Sequence, residues 1–157
     1  MPRLTVIGIG SPYADDRAGW YVVERLDASG CVTAYGGQVV ATACRSPASE
    51  LMNLFVSTDV AVVVDAVRFC GAAGTIYRLA DAHSRLLEAR FLSSHGVDFP
   101  AMLALADTLG HRPREVIIYG IEAGPAVAIA EAMCDEVSRA AARVADDIKQ
   151  DIVNHVG

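Results

Sequence analysis

The chain has one lysine, Lys149, and no run of basic residues; its other positive charges are arginines, and the formal net charge is −6. Nucleic-acid binding requires a Lys/Arg footprint, so that class is excluded. Schiff-base and P-loop chemistry, which need a lysine in a pocket, are excluded with it. Although 53% of the residues are hydrophobic, the apolar segments are short. They fall well below the ~20 residues of a membrane-spanning helix. The four cysteines, Cys31, Cys44, Cys70 and Cys134, form no C-x-x-C pair and no zinc-ligand spacing, so they are expected to be buried, reduced thiols. No G-x-S-x-G elbow is present. The amino terminus, Met1-Pro2-Arg3, enters an apolar run without secretory-signal architecture. A cytoplasmic protein that uses neither membrane nor nucleic acid is expected.

What is present is an alternation of apolar runs and helical patterns. At 157 residues the chain suits one domain spanning 1–157. Strands are expected at about Arg3–Ile9, Val39–Cys44, Val60–Val64, Thr75–Leu79 and Glu115–Ile121, most of them apolar throughout, as parallel strands covered on both faces must be. Helical spacing follows the first run at Trp20, Val22, Val23 and Leu26, with Asp15 or Asp16 as its N-cap. Ser46-Pro47 opens a second helix. Pro100 opens a third, with Met102, Leu103, Leu105 and Ala106 turned inward, and Pro125 to about Asn154 reads as a long fourth. Residues 80–94 carry no firm pattern. Strand–helix alternation of this kind predicts a three-layer α/β sandwich, helices on both faces of a mostly parallel five-stranded sheet.

Two of the apolar runs lead to acids. Residues 4–10 pass through a short loop to Asp15-Asp16, and Val60–Val64 stops at Asp65. In open α/β sheets ligands bind beyond the carboxyl ends of the strands, so these carboxylates are placed for function. One acid would serve as a helix cap, which leaves the second of the Asp15-Asp16 pair available. Asp65 either caps strand-end N–H groups or works in the crevice, because a buried carboxylate is costly unless paired or metal-bound. His95, in the small-residue segment Ser93-Ser94-His95-Gly96, could reach the same place. His83, His111 and His155 are expected on the surface. Gly8-x-Gly10 lacks the third glycine of a dinucleotide loop, since Tyr13 stands there, and reads as a tight strand-to-helix turn. Two carboxylates and an imidazole suit a transition metal or acid–base chemistry.

At these residues the chain resembles the hydrogenase maturation endopeptidases over essentially its full length. The matching pieces are Ile7-Gly8-Ile9-Gly10-Ser11, Asp15-Asp16-x-x-Gly19, Val62-Val63-Val64-Asp65-Ala66, His95-Gly96-x-x-x-Pro100 and Tyr119-Gly120-Ile121-Glu122. The resemblance implies a phosphorylase/hydrolase-like fold. It implies an aspartic-type endopeptidase that removes the carboxyl-terminal peptide of a [NiFe]-hydrogenase large-subunit precursor after nickel insertion. Carried over by position, Asp16, Asp65 and His95 would be both the catalytic residues and the metal-recognition triad. The nickel would be borne by the substrate, with no stably bound organic cofactor, and the protease would be a monomer. The alternative within the same fold is a non-catalytic metal- or precursor-binding chaperone. Two departures stand out: Ser11 replaces the family's usual asparagine, and Cys44-Arg45-Ser46-Pro47 stands where one branch has Asp-Gly-Gly-Thr.

Overall fold

The first strand, β1 (Leu4–Ile9), is buried along its whole length, and its position in the sheet explains why. In the computed structural model, which describes residues 3–80, 99–125 and 132–157, it lies between β2 (Val39–Cys44) and β3 (Val60–Val67). The sheet runs in the order β2-β1-β3-β5-β4, with β5 at Glu115–Glu122 and β4 at Ile76–Ala80. All pairings are parallel except β4 with β5, which is antiparallel. The expected five-stranded, mostly parallel sheet is therefore the architecture observed.

Alternation along the strands sorts the core into two layers. Leu4, Val6, Val60, Val62, Val64, Ile117, Tyr119 and Ile121 pack with α1 (Ala18–Ala28) and the long carboxyl-terminal helix (Asp135–Val156). Ile7, Ile9, Ala61, Val63, Val67, Val116 and Ile118 face α2 (Pro47–Phe55) and α3 (Phe99–Thr108), meeting Leu51, Phe55, Leu103 and Ala106. The carboxyl-terminal helix is called α4. None of the described helices is long and apolar enough to cross a membrane.

Four local expectations are corrected. β3 does not stop at Val64 but continues to Val67, because β5 runs beside it as far as Glu122. α4 begins at Asp135, after Cys134 in an extended N-cap conformation, so Met133 precedes the helix; residues 126–131 lie outside the described residues. On α3, Leu103 and Ala106 are buried but Leu105 is 51% exposed, since the inner stripe follows i, i+3 spacing from Leu103. His155 is half-buried rather than free on the surface: its ring bonds the Asp151 carbonyl at 2.7 Å and the Glu115 carboxylate at 2.9 Å.

Candidate active site

The connection from β1 leads to β2 on one side, and the connection from β2 returns past β1 to β3 on its other side. The carboxyl ends of β1 and β3 therefore border the crevice at a topological switch point, the usual ligand position in such sheets. The β1–β3 ladder ends at Gly8 opposite Val64, whereas the β3–β5 ladder continues with Asp65 opposite Gly120. Asp65 is thus fixed by β5 on one side and lies just past the end of its ladder with β1. Its partner on β5, Gly120, has no side chain to set against the carboxyl.

Asp16 is delivered from the other side. After β1 a single 3-10 turn, Ala14–Arg17, leads directly into α1. Ser11 N–H donates to the Asp16 carbonyl at 3.2 Å, and Asp16 N–H donates to Tyr13 O at 3.1 Å, so the turn folds back over the strand end. Three glycines permit this approach. A Cβ on Gly8 would strike the Gly19 carbonyl, one on Gly10 the Asp16 carbonyl, and one on Gly19 both the Ile9 carbonyl and, at 2.8 Å, Val64 O. The Gly8-x-Gly10 pair is therefore a packing device for close helix–strand contact.

The two carboxylates sense each other. Asp65 is only 2% exposed, and burial raises its pKa well above the ordinary carboxylate range. The Asp16 charge raises it further, while hydrogen bonding with the Ala66 backbone acts in the opposite direction. His95 lies outside the described residues. Among the described residues no group of three or more His, Cys, Asp or Glu side chains is placed to hold a metal ion.

Asp15 is not a cap for its own helix. No side-chain bond caps α1, and the Asp15 carboxylate instead accepts from Gly124 N and Cys134 N, each at 2.8 Å, and from the Cys134 thiol at 3.5 Å. It joins the β1 turn to the segment after β5 and to the start of α4. A further buried acid, Glu122, closes β5 and accepts from the N–H groups of Phe69 and Gly71, gathering the loop after β3 around it. Sequence reasoning named Glu122 only within a motif. The argument that singled out Asp65, an acid at the end of an apolar run, applies equally to Glu122.

The cysteines divide. Cys44 is buried, and burial followed by the neighbouring Glu50 carboxylate pushes its thiol up to about 12, which suppresses the thiolate. Cys31 and Cys134 are half-buried. Cys70 is exposed with φ +64°, against the expectation that all four are buried, because it occupies the tip of the Glu122-held loop. At the end of β2, Arg45 stacks over Trp20 at 5.4 Å, and the indole N–H donates to Cys44 O at 3.2 Å.

Residues 46–155 match the family model "hydrogenase maturation protease", HycI. That span contains Asp65 and His95 and begins after Asp16. The chain is 31% identical over 123 residues to the hydrogenase expression/formation protein HupD of Thiocapsa roseopersicina, covering 77% of this chain and 54% of the relative. It thus spans about half the length of the curated relative it matches. In fold it is similar to the hydrogenase maturating endopeptidase HybD from E. coli, with TM-score 0.81, 18% identity, and coverage of 97% of this chain and 93% of that one. It is similar also to the [NiFe] hydrogenase maturation protease HycI from Thermococcus kodakarensis KOD1, with TM-score 0.70, 25% identity, and coverage of 95% and 91%. The chain belongs to the hydrogenase maturation protease family.

Proposed function

We propose that this protein is a cytoplasmic, monomeric endopeptidase that cleaves the carboxyl-terminal peptide from a [NiFe]-hydrogenase large-subunit precursor once nickel has been inserted. Asp16, Asp65 and His95 would meet the substrate-borne nickel and carry the chemistry. The observation that supports this reading best is the placement of Asp65 beside Gly120 at the switch point, with Asp16 brought over the same strand ends.

A carboxyl that keeps its proton can act as acid and then, once deprotonated, as base on a water attacking a peptide carbonyl. Burial and the Asp16 charge suit Asp65 to that role, since both favour its protonated form. A cation arriving with the precursor would offset both the burial and the like-charge repulsion that disfavour the Asp65 carboxylate. A precursor without nickel would leave that repulsion in place. The site would therefore distinguish loaded from unloaded substrate with its own two acids.

Precursor maturation, followed by the mobility shift on loss of the tail and run with and without nickel, tests this. Asp65→Asn, Asp16→Asn and His95→Ala should each abolish cleavage in a folded protein. Cleavage that persists in Asp65→Asn, or that proceeds equally on nickel-free precursor, would refute the assigned roles. Precursor binding without cleavage under any condition would identify a chaperone instead.

A further inference from the structure

Gly124 uses both of its backbone polar groups between the two arms of the site. Its N–H donates to the Asp15 carboxylate at 2.8 Å, and its carbonyl accepts from the Arg68 guanidinium at 2.9 Å. Asp15 immediately precedes Asp16, on the turn from β1. Arg68 follows the end of β3, three residues beyond Asp65. We propose that Asp15, Gly124 and Arg68 form a hydrogen-bonded strap that sets the spacing of Asp16 and Asp65, which makes Asp15 and Arg68 positioning residues of the site. The functional half of this proposal rests on the peptidase reading above.

The strap is anchored on all sides. Asp15 is 8% exposed and bonds Cys134 N as well as Gly124, so its carboxylate is held from two segments separated in sequence. Ala123 N–H donates to Val67 O at 2.9 Å, keeping the residue before Gly124 on the end of β3. A Cβ on Gly124 would lie 3.1 Å from Asp15 Oδ2 and 3.4 Å from the Cys134 sulfur, so a side chain here would press the carboxylate back by a few tenths of an ångström. A charge-assisted bond sits at each end, the carboxylate on one peptide N–H and the guanidinium on the carbonyl of the same residue. Such bonds are roughly twice as strong as neutral ones. Loss of the Asp15 end releases the Asp16 turn from the segment after β5, and loss of the Arg68 end lets the Gly124 peptide that holds Asp15 rotate on its β3 anchor; a misplacement of ~1 Å at a reacting centre costs up to ~100-fold in rate.

The test uses Arg68→Met, Asp15→Asn and the double variant, with Arg68→Lys as the conservative replacement. In two-dimensional NMR of the free protein, Arg68→Met should shift the amide signals of Gly124 and of Asp16, although Arg68 lies on the other arm. In precursor cleavage kcat should fall ~10–100-fold with KM nearly unchanged. Arg68→Lys should restore part of the rate, and the double variant should be no worse than the weaker single variant, because both act through Gly124. Lys149→Met, which removes only the exposed pair with Asp146 on α4, is the control and should do none of this. Unmoved Asp16 signals in Arg68→Met, unchanged kcat, or additive losses would overturn the strap. Arg68 is at the surface, so its variant decides the matter even if Asp15→Asn fails to fold. A wild-type protein that cleaves no precursor would refute the peptidase reading, while the NMR comparison would still decide whether the strap exists.

Discussion

Replacing Gly19 by alanine sets two effects against each other, and the structure says which wins. Gly19 is the second residue of α1, where alanine is the better helix former by ~1 kcal/mol. Against that, the added Cβ would collide with the Ile9 carbonyl and sit 2.8 Å from Val64 O, both backbone atoms of central strands. No rotamer change relieves a backbone clash. Relief requires α1 to move off the sheet, which loosens the packing of Val22, Val23 and Leu26, all buried against it. A radial gap of 0.5–1 Å forfeits about a quarter to a half of each contact along that face, and overpacking of a tight core typically costs ~1–3 kcal/mol or more. A clash with two backbone carbonyls belongs at the upper end of that range, so the net expectation is a loss of ~2 kcal/mol after the gain in propensity. With a urea slope of ~2 kcal/mol per M, the midpoint should fall by ~1 M at unchanged slope. Val64 directly precedes Asp65, and Gly19 follows Asp16 by three residues, so cleavage should fall as well. Equal or greater stability of Gly19→Ala in urea would refute the close-packing account of all three glycines.

Two further outcomes are expected. Burial and the Asp16 charge raise the Asp65 pKa above its unfolded value, so the folded protein binds more protons between those two values and stability falls as pH rises through that window. Asp65→Asn removes this cost; urea unfolding at several pH values should show the variant gaining on the wild type as pH rises from acid to neutral, and a constant difference would contradict the shift. Tyr119→Phe deletes the hydroxyl that donates to Asp151 at 2.5 Å and accepts from Arg78 at 3.0 Å. It should cost ~1–2 kcal/mol in thermal or urea unfolding and leave cleavage unchanged, because Tyr119 faces α4, on the side of the sheet opposite Asp65; a large loss of cleavage in the folded variant would count against that separation.

Local signals located the elements well and their ends less well. β2 was legible to the residue because Gly36-Gly37 and Ser46-Pro47 bracket a single apolar run. The end of β3 is not legible, because an acid after five apolar residues looks like an end; what carries the strand to Val67 is pairing with β5, more than 50 residues away. The start of α4 at Asp135 is not legible, because the pattern from Pro125 to Asn154 carries no break at Cys134. Asp15 looked like a local cap, yet its partners are 109 and 119 residues distant. His155 likewise looked terminal, although it pairs with Glu115, 40 residues away. Of the candidate site, Asp65 and the Asp15-Asp16 pair follow from strand ends, the choice of Asp16 within that pair comes from the family resemblance, and His95 lies outside the described residues. The strap was not legible, because it runs through the backbone of Gly124, which carries no side chain to notice.

The antiparallel edge strand bears on the order in which the molecule can be assembled during synthesis. Among the described strands β4 neighbours β5 alone, which the ribosome completes about 40 residues later, an interval of ~2–8 s at ordinary elongation rates. Until then β3 presents an unprotected apolar edge on its β5 side, and the nascent chain depends on prompt closure to avoid pairing with a neighbour. The same vectorial order governs the two acids. Asp16 and Asp65 are both made early, but Gly124 and Cys134, which hold the Asp16 turn in place, emerge only after β5. The cleft therefore acquires its final shape late in translation, and a nascent chain cannot present a competent site before its sheet is closed.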